Sequence, residues 1–134
     1  MNKGTIQIRT DSHRVLIDIT HEISRALASC QQNSGLLFLF NPHTTSGLTI
    51  NEGADPDVQT DIIAGLNALV PNLKYDHAEG NSPAHIMTLL TGSSITIEVE
   101  DGQLKLGTWQ RLFFCEYDGP RTRSINWKFL PDNT

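Results

Sequence analysis

Alternation of apolar and polar positions dominates both ends of the chain. Ile6 and Ile8 alternate with Thr5, Gln7 and Arg9. After a polar break at Asp11-Ser12-His13, the apolar positions Val15, Ile17 and Ile19 interleave with Leu16 and Asp18. A period of two puts successive side chains on opposite faces, so each run predicts a half-buried strand. The rhythm returns in Ile95, Ile97 and Val99, set between Thr96, Glu98 and Glu100, and again over 109–117 and 122–130. Asp101-Gly102 supplies one predicted hairpin turn and Asp118-Gly119-Pro120-Arg121 a second. Gly35-Leu36-Leu37-Phe38-Leu39-Phe40 is an unbroken apolar run bounded by Gly35 and Asn41-Pro42. Such a short run predicts a central strand buried on both faces. A further short strand is expected over 49–51.

Between the strands the period lengthens. Thr20 is the expected N-cap of a helix over about 21–29, with Ile23 and Leu27 inward. Asp55 as N-cap and Pro56 at the first helical position open a second helix. Its stripe is Val58, Ile62, Leu66 and Leu69, and Pro71 ends it. A loop over 72–81 leads to Ser82-Pro83, which opens a third helix with Ile86, Leu89 and Leu90 inward, stopping near Gly92. Strands at both ends around two or three helices predict an α+β fold, a largely antiparallel β-sheet or sandwich. The 134 residues fit a single domain over 1–134 and suffice for a core without covalent staples.

Composition narrows the function classes. Ten basic against fifteen acidic residues, a net charge of −5, argue against a general nucleic-acid or anionic-membrane binder. A local basic pocket for one small anion stays open. Cys30 and Cys115 are too few for a disulfide framework and are expected as small buried thiols. Met1-Asn2-Lys3-Gly4-Thr5-Ile6 reaches polar residues at once, so no signal peptide is expected. No stretch approaches the roughly 20 apolar residues of a membrane span. The expected location is therefore the cytoplasm.

Strand parity singles out some polar residues. On 109–117 one face carries Gln110, Leu112, Phe114 and Glu116; on 122–130 one face carries Arg123, Ile125, Trp127 and Phe129. A charge facing a core must pair or meet an anion. Either Glu116 and Arg123 pair with each other, or Arg121 and Arg123 receive a carboxylate or phosphate, which guanidinium forks suit. Glu52 shares parity with Leu48 and Ile50 and is expected inward. His43 follows the 35–40 strand, and His77 and His85 flank the start of the third helix. With Ser82 as N-cap, His85 is the third helical residue, where the positive helix end disfavours protonation. A neutral imidazole is what a metal ligand or general base needs, although a His77-x7-His85 spacing is not a standard zinc pattern. His13 and His21 read as structural. Asp57 and Asp61 either complement the helix dipole, or Asp57 helps hold a divalent cation. Nothing matches a phosphate-binding glycine loop, a nucleophile elbow, a Cys-x-x-Cys pair or a Rossmann fingerprint.

Four stretches, in order, resemble the YjbQ family, often labelled secondary thiamine-phosphate synthase. They are His43-Thr44-Thr45-Ser46-Gly47-Leu48-Thr49-Ile50-Asn51-Glu52 with Asp55-Pro56-Asp57-Val58; His77-Ala78-Glu79-Gly80-Asn81-Ser82-Pro83-Ala84-His85-Ile86; Gly107-Thr108-Trp109-Gln110; and Glu116-Tyr117-Asp118-Gly119-Pro120-Arg121-Thr122-Arg123. The resemblance runs from about residue 5 to 130. It implies a homotrimer with polar motifs near subunit interfaces, and a low thiamine-phosphate synthase activity. In that reaction a thiazole phosphate displaces pyrophosphate from a pyrimidine diphosphate. On this resemblance His43, His77 and His85 line the site, one or more of them on a divalent metal, zinc or magnesium. Glu52 or Glu116 is a metal-facing or general-base carboxylate. Asn51, Asn81 and Gln110 orient the substrate, and Arg121 and Arg123 hold phosphate. The implied partner is a small phosphorylated molecule, not a nucleic acid or a membrane. Two alternatives use the same residues: a non-catalytic trimeric protein that binds a metal or small anion, and a metal-dependent hydrolase.

Overall fold

The computed structural model describes residues 2–31 and 33–132; Met1, part of the reading of the N-terminus, lies outside them. The chain runs β1 (Lys3–Arg9), β2 (Val15–Asp18), α1 (Thr20–Ala28), β3 (Gly35–Phe40), β4 (Ser46–Glu52), α2 (Pro56–Leu69), α3 (Ser82–Thr91), β5 (Ser94–Glu100), β6 (Gln103–Leu104), β7 (Gln110–Glu116) and β8 (Thr122–Pro131). Two antiparallel sheets result, one of order β1-β8-β3-β5-β6 and one of order β2-β7-β4. The fold is α+β, as the alternating runs predict.

The three-stranded sheet is the middle layer. Its inner face, with Leu48, Leu112 and Phe114, meets Ile8, Leu37, Leu39, Ile97, Val99, Ile125 and Phe129 of the five-stranded sheet. Ile19, Ile23 and Leu27 from α1 and its approach join this core. The other face, with Leu16, Phe113, Cys115 and Tyr117, is covered by Val70, Ala84 and Met87, with Ile62, Ile63 and Leu66 of α2 beside them. Each such side chain fully withdrawn from water stabilises the fold by about 1.5–3 kcal/mol.

Being sandwiched, β7 is the strand buried on both faces; every residue from Leu112 to Glu116 is buried. The expectation placed that role on β3. In fact β3 alternates, with Leu36 45 % and Phe40 41 % exposed on the outer face of the five-stranded sheet. The helix over 82–91 also faces otherwise than expected. Pro83, Ala84, Met87 and Thr88 are inward, while Leu89 and Leu90 are exposed and Ile86 is half-buried. Leu69 is likewise exposed at the end of α2.

Cap positions divide in the same way. Asp55 caps α2, its carboxylate accepting from the Asp57 N–H at 2.9 Å, with Pro56 just inside. Thr20 is not a cap but the first residue of α1. Asp18 Oδ1 takes the Thr20 N–H instead, and Thr20 Oγ1 accepts from the Leu112 N–H. In α3 the cap position is Asn81 and Ser82 is helical, so His85 is the fourth helical residue, not the third.

The two expected hairpins have different fates. Asp101 and Gly102 both adopt positive φ and join β5 to β6 directly. The 118–121 turn makes no hairpin, because β7 and β8 belong to different sheets. It carries the chain across the sandwich, and so brings the end of β7 against the start of β8 at the open edge of the core.

Candidate functional site

Three loops meet at that edge. The first lies between β3 and β4. Asn41, 1 % exposed, fixes it: its Nδ2 donates to the Ser46 carbonyl and hydroxyl, and its Oδ1 accepts from the His43 N–H. The turn then presents His43, Thr44 and Thr45. The second is the start of α3 with His77, Glu79 and Asn81 ahead of it. The third is the 118–121 crossing, which needs Gly119. A β-carbon there would sit 2.3 Å from the Ser12 carbonyl oxygen, and the Gly119 N–H donates to the His13 carbonyl. Together they enclose a cavity of about 450 Å³ lined by His43, His77, Glu79, Asn81, His85, Arg121 and Arg123, among others.

Hydrogen bonds set the state of two imidazoles. The Ser124 N–H donates to His43 Nε2 at 3.0 Å, so that nitrogen carries a lone pair. Burial, and then the neighbouring Arg123 charge, hold the His43 pKa below its usual value against the opposing pull of the Ser124 carbonyl, 3.2 Å from Nε2, and of Glu116. His85 Nδ1 lies 3.0 Å from the Thr44 carbonyl and donates to it, which leaves Nε2 as the free lone pair. The His77 ring stands edge-on to His85, with centroids 5.6 Å apart.

Glu116 and Arg123 form the floor. Arg123 is 3 % exposed and Glu116 fully buried. Arg123 Nε donates to Glu116 Oε1 at 2.9 Å, and its Nη2 donates to Oε2 and to both oxygens of Thr45. Thr10 Oγ1 and the Asp118 N–H also donate to the carboxylate. Burial would raise the Glu116 pKa. The bonds from Arg123, Thr10 and Asp118 outweigh it and hold the group below the usual carboxylate value. Of the two readings left open by strand parity, pairing is the one present.

Above this floor Asp118 organises the rim. Its Oδ2 accepts from Asn81 Nδ2 at 3.0 Å and from Arg121 Nη2 at 2.9 Å. Arg121 Nε donates to the Asp118 carbonyl, so the half-exposed guanidinium is fixed in direction. Asn81 Oδ1 is buried and has no donor among the described residues.

The remaining residues singled out by sequence are elsewhere. Ser46 pairs with Glu116 at one end of the three-stranded sheet, and Glu52 with Gln110 at the other. That separation is about 20 Å at roughly 3.3 Å per residue. Glu52 Oε2 accepts from the Asp55 N–H, Asn51 Oδ1 from the Glu52 N–H, and Gln110 Oε1 from the Gly107 N–H. Asp57 sits exposed in the first turn of α2. Within one chain, then, His43, His77, His85, Asn81, Arg121, Arg123 and Glu116 come together, while Asn51, Glu52 and Gln110 do not join them. Among the described residues no three His, Cys, Asp or Glu side chains are set to hold a metal ion together.

Sequence reasoning passed over Asn41, Thr45 and the clamping role of Asp118. Only Asp118 left a local signal, three residues before Arg121 in a tight Gly-Pro turn.

The chain has extensive likenesses. The family described as UPF0047 protein YjbQ-like matches residues 4–132. UPF0047 protein MJ1081 of Methanocaldococcus jannaschii is 47 % identical over 127 residues, 94 % of this chain and 92 % of that one. UPF0047 protein YugU of Bacillus subtilis is 44 % identical over 128 residues, 94 % and 97 % of the two chains. Among solved structures, an uncharacterized YjbQ/UPF0047 protein of Clostridium acetobutylicum superposes with a TM-score of 0.91 at 44 % identity, covering 95 % of this chain and 99 % of that one. A hypothetical protein of Aeropyrum pernix gives 0.92 at 34 % identity, covering 98 % and 100 %.

Proposed function

The chain belongs to the UPF0047 YjbQ-like family, and from that premise we propose that the 450 Å³ cavity binds a small phosphorylated heterocycle. The reaction proposed is low-level thiamine-phosphate synthesis, in which a thiazole phosphate displaces pyrophosphate from a pyrimidine diphosphate. Asn81 carries the binding reading. A carboxylate only accepts, so the bond to Asp118 fixes the amide with Nδ2 toward Asp118 and Oδ1 as an acceptor. That acceptor is buried without a donor, a state costing about 1–3 kcal/mol that a ligand N–H would relieve. Arg121, held beside it by Asp118, suits the phosphate of the same ligand.

The chemistry asks little of a base. A thiazole ring nitrogen has no proton to lose as it forms the new C–N bond, and the charge to be stabilised is on the departing pyrophosphate. Arg121 supplies a fixed cation there, and His43, through its Nδ1–H, and His77 supply hydrogen bonds. Glu116, saturated by Arg123 and Thr10, supports the floor in this scheme. A divalent metal, zinc or magnesium, would neutralise diphosphate charge. The free Nε2 of His85 and the ring of His77 would be the donors for it, a nitrogen pair that would suit zinc better than magnesium. We further propose that the protein is a cytoplasmic homotrimer. Among the described residues no helix is long and apolar enough to cross a membrane. In a trimer Asn51, Glu52 and Gln110 would serve the cavity of a neighbouring subunit.

A second reading, metal or anion binding without turnover, is favoured by the same saturation of Glu116. In a metal-dependent hydrolase, the carboxylate available in the lining to help activate water would be Glu79. Complementation of a thiamine-requiring strain separates these readings. The wild type should restore growth and His85→Ala should not, while calorimetry with pyrophosphate should show binding lost in Arg121→Ala. Pyrophosphate binding without complementation would leave the binder reading; no binding at all would remove both.

A further inference from the structure

A second cation lies behind the loop that serves the candidate site. Arg14, just ahead of β2, lines a separate cavity of about 390 Å³ together with His13, Asn67, Asn72, Gly80 and Pro83. Its Nη1 donates to Asn67 Oδ1 at 2.5 Å. Its Nε is buried and has no acceptor among the described residues. Among the described residues no ion pair involves Arg14 and no carboxylate lines the cavity.

The geometry has a direction. With Nη1 occupied by Asn67, the unused edge of the guanidinium is the one formed by Nε and Nη2. That edge carries two parallel N–H groups and takes two oxygens of one anion side by side. Withdrawing an Arg N–H from water without an acceptor is costly. The other polar linings are donors too. Asn67 has its oxygen engaged by Arg14 and keeps its amide N–H groups, and Asn72 and His13, which line the cavity too, are donor-bearing residues. Several donor-bearing side chains lining one cavity with Arg14 match the several oxygens of a phosphate better than the two of a carboxylate.

We propose that this cavity is a second anion site, taking a phosphate group on the Nε/Nη2 edge of Arg14. It does not rest on the reading of the first cavity, but the two stand back to back. Glu79 and Asn81 line the first, and Gly80 between them lines the second. The His13 carbonyl on the Arg14 side also receives the Gly119 N–H from the crossing loop of the first site.

Inorganic phosphate titrated into the full-length protein, followed by amide and Arg Nε–H resonances, tests this. The work is done in an Arg121→Ala background, which removes the phosphate cation of the first cavity. The Arg14 Nε–H and the Gly80 N–H should shift on saturation, and Arg14→Gln should weaken that binding by at least about tenfold. Arg14→Lys keeps the charge without the fork and should lose a similar factor, which covers the case in which the Gln variant fails to fold. Unmoved Arg14 and Gly80 signals, or equal binding by both variants and their parent, would overturn the site. Acetate shifting the same signals as tightly as phosphate would overturn the phosphate assignment.

Discussion

Glu116 and Arg123 show how far one residue's placement can be read from its neighbours. Alternation along β7 and β8 puts both on the buried side, which is correct, but alternation cannot say whether a buried charge awaits a partner or a ligand. The answer depends on Thr10 and Thr45, 106 and 78 residues away in sequence, and no local pattern encodes those contacts. A stability contrast follows. Arg123→Ala leaves a buried carboxylate unpaired and should cost about 3–5 kcal/mol, whereas Arg121→Ala breaks a half-exposed pair and should cost less than about 1 kcal/mol. Urea unfolding of the two variants measures this directly, and equal losses would refute the structural role given to the floor. The same groups set the acid response. His43 is held below its ordinary value of 6.5, so below that pH the unfolded chain takes up a proton that the folded chain resists, and stability declines as pH falls through the folded value. Glu116, held below 4.5, contributes stability that is present above 4.5 and lost as pH falls through its lower folded value. Melting temperatures should therefore begin to drop as pH falls below about 6.5 in the wild type. His43→Gln should flatten that first decline and leave the more acid one.

At the scale of elements, signals that act within a few residues are the readable ones. Asp55 and Pro56 mark the start of α2 because capping is decided by adjacent backbone groups. Asp101-Gly102 marks a turn because positive φ is a local demand. The inward face of α3 is not local. The helix carries Ala84 and Met87 on one side and Ile86, Leu89 and Leu90 on the other, so the period is satisfied by either stripe and only the sheet beneath chooses. Truncation should rank the stripes. Met87→Ala removes a side chain with no exposure and should cost about 2–5 kcal/mol; Leu89→Ala should cost a small fraction of that within a single chain. Comparing the two by denaturant midpoint tests the orientation of the helix, and a reversed order would refute it.

At the scale of the whole molecule, the sequence signals fail where the chain changes sheet. Residues 118–121 carry turn chemistry that suits a hairpin, yet β7 pairs with β2 and β4 while β8 pairs with β1 and β3. That crossing gathers the histidines and arginines at one edge and leaves Asn51, Glu52 and Gln110 at the far end of the three-stranded sheet. It also leaves Leu36, Phe40 and Leu130 exposed on the outer sheet face and Leu89 and Leu90 on α3. More apolar surface than a lone chain needs to expose is what an assembly would cover. Two separate polar ends on one subunit are what a cyclic head-to-tail assembly would join, since in such a ring one patch of each subunit meets a different patch of the next. The proposed trimer then makes a quantitative demand. Glu52→Gln and His85→Ala homotrimers should each lack the proposed synthase activity. When the two variants are co-expressed and assort randomly, a working site forms wherever the intact His85 end of one subunit meets the intact Glu52 end of the next, so about a quarter of wild-type activity should return. Recovery at that level, with a trimer by light scattering, would place Glu52 in the neighbour's cavity. A fully active Glu52→Gln homotrimer, or no recovery on mixing, would confine the site to the His85 end of a single chain.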